Sequence, residues 1–366
     1  MSWIGLTDKN TALFHMAGLD SSAAPHRACA PAQLLPRGTL MLETGIPAHD
    51  RPQTLLRFHH LHPWERGLSL QSLPDGAMVL VITQGDTVSH TVLHHGLIGQ
   101  GHRLRVTYVW DAPARAGHLS IKAIGTGQHY LKAVHMPVPL SLGDLQAVFQ
   151  SSRNVENWGA LDPEVTFLAL SDRPQPVGPM PTLAPDLPIL TSQGYRPLDH
   201  VERGDLIVTP TREQVPVLAN LRFRAPARGS FRPVRLRAPY FGLQRNITVA
   251  PDQRLCASGS DVEFLFGSPC VLVPARHLVN GVSASYADSG PLATWHQLLL
   301  PGSHAMIGAG AKLQSLYLGR MRRHAPKVAV SLLAGYDRSR LPEHASPPYP
   351  VLRPFEAVTL VQHRAA

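Results

Sequence analysis

From residue 38 to about residue 135 the chain alternates apolar and polar residues with period two, or gathers short apolar runs closed by turn residues. TLMLET (39–44), TLLRFHH (54–60), GLSLQSL (67–73), AMVLVIT (77–83) and TVSHTVLHH (87–95) read as strands, because successive side chains of a strand face opposite sides of a sheet. RLRVTYVWDAPARAGHLSIKAI (103–124) reads as a hairpin with Asp111–Gly117 holding the turn. Strands this short, spaced about ten residues apart, predict an antiparallel β-sandwich over 38–171. One short helix is expected around SLGDLQAVF (141–149).

The second half carries the same signature. DLIVT (205–209), PVLANLRFRA (216–225), RPVRLRA (232–238), NITVA (246–250), EFLF (263–266) and CVLVPA (270–275) are expected as strands, as is AVTLV (357–361). A short helix is expected to start near Pro274. Between the halves, DRPQPVGPMPTLAPDLP (172–188) holds six prolines in seventeen positions and reads as an extended linker and domain entry. Residues 1–37, rich in Ala, Pro and Ser, read as a loosely ordered arm. The expected organisation is an arm (1–37), a sandwich (38–171), a proline-rich linker (172–188) and a second β-domain (189–366).

Composition narrows the function classes. The chain has 366 residues, with 34 prolines and 29 glycines, too many helix breakers for long helices or coiled coil. The net charge of +9 speaks to association rather than fold. Cys29, Cys256 and Cys270 are too few and too scattered for a disulfide framework or a metal site. No window approaches a membrane-spanning apolar run, and the first residues lack the basic start and apolar core of a Sec signal. A cytoplasmic protein, or one exported without that signal, is the expectation, and no cofactor is implied.

The motifs of the second half carry a resemblance. ILTSQGYRPLDHVERGDLIVT (189–209) contains a first strand followed by a Gly204-Asp205 step, and ITVAPDQRLC (247–256), VLVPARHLVNG (271–281) and LRPFEAVTL (352–360) follow in order. Together they resemble the Hint domains of Hedgehog and intein autoprocessing proteins, above all the bacterial Hint subfamily. The resemblance implies a Hint β-fold and a self-cleaving chemistry. In that chemistry a Cys at the domain start attacks the preceding carbonyl, while a downstream Thr and His polarise and protonate the scissile amide. The register puts Thr182 at the Cys position, Ala250 at the Thr position and Gln253 at the His position.

All three groups are therefore replaced. No cysteine occurs between Cys29 and Cys256 and no histidine between His200 and His277, so no other register restores them. The expectation is a processing-dead Hint domain with a structural or ligand-presenting role. The alternative is an active self-processing protein cut between Pro181 and Thr182. A further alternative is a basic binder of nucleic acid or another polyanion, suggested by Arg222, Arg224, Arg228, Arg232, Arg235 and Arg237. Alternation along strands disperses those arginines and argues against nucleic acid.

The first half, with Tyr108 and Trp110 entering the turn at Asp111, is similar to laminin-G and concanavalin-like sandwiches, which implies a jelly-roll-like fold. That resemblance implies a glycan or other extracellular ligand, without assigning a site. His60 and His62 share one face of a strand, and His296 and His304 fall where Hint relatives often place a histidine pair. All four are expected to serve packing or surface roles. Cys256 and Cys270 are expected as small buried apolar residues.

Overall fold

The computed structural model describes residues 3–20, 33–46, 51–97, 103–151 and 161–365. The chain divides into two compact units, Met1–Pro176 and Val177–Ala366. Both are built from antiparallel sheets, and the fold is all-β.

The first unit contains two large sheets. One runs in the order His129–His135, Ala116–Ile124, Arg103–Asp111, Arg37–Gly45, Val165–Ser171, Trp3–Asp8 and Ala12–Phe14. The other is a four-stranded meander of Gln53–His60, Arg66–Ser72, Ala77–Gln84 and Thr87–His94. One apolar cluster joins their inner faces, with Leu40, Leu42, Val106, Trp110 and Ile121 from the first and Leu56, Leu68, Leu70, Leu80 and Ile82 from the second. These are the alternate residues that the period-two pattern selects, and the unit is an antiparallel sandwich.

Trp110 anchors this core. Its indole Nε1 donates to the Leu35 carbonyl at 3.0 Å, and the ring lies against Gly38, where an added Cβ would sit 2.6 Å from Trp110 Cζ2. Only glycine fits opposite that ring. The helix Leu142–Ser151 is tied down by a buried ion pair, Arg66 Nε to Asp144 Oδ2 at 2.6 Å and Arg66 Nη2 to Oδ1 at 3.2 Å. The same guanidinium donates to the His62 and Trp64 carbonyls, so four of its five N–H donors are met, which offsets the cost of burying the charge.

The loosely ordered arm is corrected in part. Trp3–Asp8 is a strand inside the large sheet, paired with Val165–Ser171 on one side and Ala12–Phe14 on the other. Trp3, Ile4 and Leu6 are fully buried. Six residues give too short a pattern to separate a strand from an arm, and both partners lie outside that local window. Residues 21–32 of the arm, Cys29 among them, lie outside the described residues.

The second unit contains a sheet ordered Gln214–Pro216, Leu206–Val208, Pro188–Thr191, Ala305–Gly308, Ala311–Gln314, Arg254–Ser258 and Cys270–Pro274. A second pair, Ala219–Pro226 with Leu292–Leu299, and a three-stranded sheet of Ile247–Val249, Val234–Leu236 and Ala284–Tyr286 complete it. Leu183 bridges Val249 on one side and His296 on the other, stitching the last two groups together. The proline-rich stretch is thus not a free tether over its whole length, because Leu183 and Leu187 sit in the core of the second unit.

Two expected strands are helices. SDVEFLF (Ser260–Phe266) has Asp261 and Glu263 in its first turn and ends on Gly267 at φ 61°, so acids meet the positive helix end and glycine supplies the left-handed cap. PFEAVTLVQHRA (Pro354–Ala365) starts on proline, carries Glu356 early and His363 and Arg364 late, and buries Ala357 and Leu360 at helical spacing. The period is 3.6 there, and reading AVTLV by its β-branched content alone mistakes it.

Burial lowers the pKa of five histidines. His118 and His277 are pushed down to about 4, and His95, His296 and His344 are shifted in the same direction. A lowered pKa means that the folded chain holds fewer of these protons than the unfolded one, and for His118 and His277 the difference spans about pH 6.5 to 4. Stability therefore falls as pH falls through that window. Thermal melts at pH 7, 5.5 and 4.5 are expected to show a progressive drop in Tm before the carboxylates titrate; a flat Tm would contradict the burial.

Candidate functional site

Thr182, Ala250 and Gln253 come from segments about seventy residues apart, and the fold brings them together. The Ala250 N–H donates to the Thr182 carbonyl at 2.7 Å. The Gln253 N–H donates to the Ala250 carbonyl at 3.0 Å, which folds the segment between them into a turn. That turn points the Gln253 side chain at Thr182, whose hydroxyl lies 2.5 Å from Gln253 Oε1.

Sequence reasoning missed the fourth member, Gln297. It lies on the strand Leu292–Leu299, next to the residue that pairs with Leu183. Its Oε1 is 2.9 Å from the Thr182 hydroxyl and accepts the Thr182 N–H at 3.3 Å. Its Nε2 donates to the Gln314 carbonyl at 2.9 Å. Gln253 Nε2 donates to the Gln314 carbonyl at 3.1 Å and to the Arg254 carbonyl at 2.8 Å. Gln253, Gln297 and Ala250 are all buried, and Thr182 is half-buried. A neutral amide has no motif, so nothing in the sequence singles out Gln297.

The polarity of this network decides what it can do. The Thr182 hydroxyl faces two amide oxygens, and an amide oxygen is too weak a base to take its proton. The amide nitrogen of Thr182 faces an acceptor, Gln297 Oε1, where proton delivery to a leaving nitrogen would need a donor. The Gln253 NH2 donates to two backbone carbonyls, and the Gln297 NH2 donates to the Gln314 carbonyl and, at 3.4 Å, to Gln253 Oε1, so neither is directed at the Thr182 nitrogen. The cation beside them, Arg254, donates to Gln314 Oε1 at 3.4 Å and offers no base.

The other singled-out residues stand apart from this cluster. His296 Nδ1 meets Asn220 Oδ1 at 3.2 Å, and its burial, with Arg222 nearby, lowers its pKa. His304 is half-buried, and its carbonyl accepts the Ser315 N–H. His60 lies 3.8 Å from Asp144. Among the described residues no three His, Cys, Asp or Glu side chains gather as a metal would need. Cys256 is half-buried and Cys270 buried, both free.

The arginines do not form one face. Arg222 is opposite His296, His296 and Val249 both bridge Leu183, and Val249 is opposite Val234. Residues directly opposite in a ladder share a face, so Arg235, next to Val234, points to the other side from Arg222. Arg232 stacks on Tyr286 at 4.5 Å.

Residues 181–320 match the family model described as Hint domain. The chain carries a Hint domain. That match begins one residue before Thr182, where the family's nucleophile would stand by the register above, and it ends beyond Gln314. Among solved structures, the chain is similar to the gp41-1 intein at 10% identity, covering 37% of this chain and 98% of that one with a TM-score of 0.25. It is also similar to the Ruminococcus gnavus IT-sialidase CBM40 at 13% identity, covering 38% and 77% with a TM-score of 0.27. A toad ovary galectin in complex with thio-digalactose aligns at 14% identity, covering 39% and 89% with a TM-score of 0.20. No curated protein matches the chain. No helix among the described residues is long and apolar enough to cross a membrane.

Proposed function

We propose that this Hint domain does not cleave itself, and that it serves as a structural base from which the N-terminal sandwich meets a ligand. The observation that carries the reading is the amide network around Thr182. Among the described residues, a hydroxyl held between Gln253 Oε1 and Gln297 Oε1 meets no base to activate it and no acid beside its own amide nitrogen. Positioning alone then remains to lower the barrier, and an unactivated hydroxyl attacking an unprotonated amide needs chemistry as well as positioning.

The alternative, cleavage between Pro181 and Thr182, would need a base within reach of the Thr182 hydroxyl, which meets Gln253 Oε1 and Gln297 Oε1 instead. The polyanion reading draws support from charge alone, and the divided arginine faces weigh against it. Intact mass of the purified chain after prolonged incubation with thiol or hydroxylamine tests the proposal. One uncut species is expected.

A further inference from the structure

The outer face of the four-stranded sheet in the first unit carries a groove of about 380 Å³. Its floor and walls include Arg57, His59, Gly67, Ser69, Val81 and Thr83. We propose that this groove binds a saccharide bearing a carboxylate, seated against Arg57. The inference deepens the ligand-meeting role proposed for the sandwich and rests on it.

Register builds the site. Arg57 is opposite Ser69, which is opposite Val81, while His59 is opposite Gly67, which is opposite Thr83. Opposite residues share a face, so these six side-chain positions form two adjacent rows across three strands. The facing core positions, Phe58, Leu68 and Ile82, point the other way into the sandwich interior. Gly67 has a specific use: a Cβ there would lie 3.0 Å from His59 Cδ2 and 3.4 Å from the Phe58 carbonyl. Its absence lets the His59 ring lie close to the neighbouring strand and leaves the floor open between His59 and Thr83.

The lining sets a few hydroxyls and one guanidinium around a mostly apolar floor, a mixture that suits a sugar, whose C–H faces are apolar and whose edges are polar. Ser69 and Thr83 offer hydroxyls, and Gln71 donates its Nε2 to Ser69 Oγ at 3.0 Å, which leaves the Ser69 proton available to a ligand. Val81 supplies an apolar platform for a C–H face. Neighbouring strands lie about 4.8 Å apart, close to the width of a pyranose ring, so hydroxyls on adjacent strands can meet adjacent hydroxyls of one residue.

Charge selects the acidic class. His59 Nε2 lies 3.0 Å from Glu65 Oε1, so that acid is directed to the histidine. Arg57 is exposed and has no ion pair among the described residues. An unpaired guanidinium fork at the rim of a groove of hydroxyls presents two parallel donors to a carboxylate, a match that neutral sugars lack.

The test is an array of neutral, carboxylate-bearing and sulfated oligosaccharides probed with the labelled full-length chain, followed by titration of the retained members. Retention of carboxylate-bearing members is expected, with affinity at least about tenfold weaker in Arg57→Gln and a smaller loss in Thr83→Val. Both positions are on a solvent-facing sheet surface, and unchanged melting temperatures will certify the fold of each variant. Retention of no carboxylate-bearing member, of sulfated members alone, or of neutral members equally well would overturn the inference. A retained glycan that binds Arg57→Gln as tightly as the parent would also overturn it while leaving the ligand-meeting role standing. Fragmentation of the chain on incubation with thiol would remove the non-cleaving base and leave the groove untouched.

Discussion

The unmodified chain is expected to stay in one piece under conditions in which a thiol-dependent Hint domain divides, and a variant with the three groups restored is expected to regain cleavage. The variant is Thr182→Cys with Ala250→Thr and Gln253→His. Each substitution addresses a separate deficit. A thiol at 182 has a pKa far below that of a hydroxyl and supplies a usable fraction of nucleophilic anion near neutral pH. A histidine at 253 replaces an amide that can only hydrogen-bond with a group that can carry a proton to the amide nitrogen. A threonine at 250 adds a hydroxyl beside the backbone contact that already ties Ala250 to the Thr182 carbonyl at 2.7 Å.

The geometry favours the repair, since the Gln253 side chain already reaches within 2.5 Å of the Thr182 hydroxyl. The obstacle is Gln297, whose Oε1 accepts from the amide nitrogen that the new histidine must protonate. Adding Gln297→Ala to the triple variant is expected to raise the cleavage rate further. Mass spectrometry after thiol treatment should show two fragments of roughly equal mass from the restored variants and none from the parent. Cleavage of the parent between Pro181 and Thr182 would refute the non-cleaving reading at once.

How much of this was legible in the residues themselves depends on where the partners lie. The strands of the sandwich announce themselves because Leu68, Leu70, Leu80 and Ile82 alternate with solvent-facing residues inside one short window, and their inward burial follows. The convergence of Thr182, Ala250 and Gln253 was readable from the order of the second-half motifs, since those motifs bring a known topology with them. Trp3–Asp8 was not, because its identity as a strand depends on Val165–Ser171, and a six-residue window holds no trace of a partner that distant. Ser260–Phe266 was misread for a different reason. EFLF looks like an apolar strand, and the decisive signals were the flanking acids and Gly267. Gln297 shows the limit most clearly. It stands 115 residues from Thr182, and a buried glutamine becomes informative only once its neighbours are known.

Removing the Gln253 amide is expected to destabilise the second unit by about 1–3 kcal/mol, even though the chain would lose no charge and little volume. In Gln253→Leu the Thr182 hydroxyl loses its shortest contact, and the Arg254 carbonyl loses the Gln253 donor at 2.8 Å. The Gln314 carbonyl keeps Gln297 Nε2 at 2.9 Å, so it is spared. The Thr182 hydroxyl likewise keeps Gln297 Oε1 at 2.9 Å, so the Arg254 carbonyl carries the main loss, and a buried polar group left without a partner costs about 1–3 kcal/mol. Thr182→Val should cost less, about 1 kcal/mol, because Gln253 Oε1 retains Gln297 Nε2 at 3.4 Å. The two changes share a contact, so the double variant is expected to be about 1 kcal/mol less destabilised than the sum of the singles. Urea unfolding of the four proteins, followed by the fluorescence of the buried Trp295 in this unit, measures that coupling. A Gln253→Leu variant as stable as the parent would mean that the amide network holds nothing together. A strong coupling would instead give the glutamine a structural reason for its place. The position where a Hint domain carries its proton donor would then be occupied by a residue whose job is to tie three strands through neutral hydrogen bonds that no change of pH can ionise.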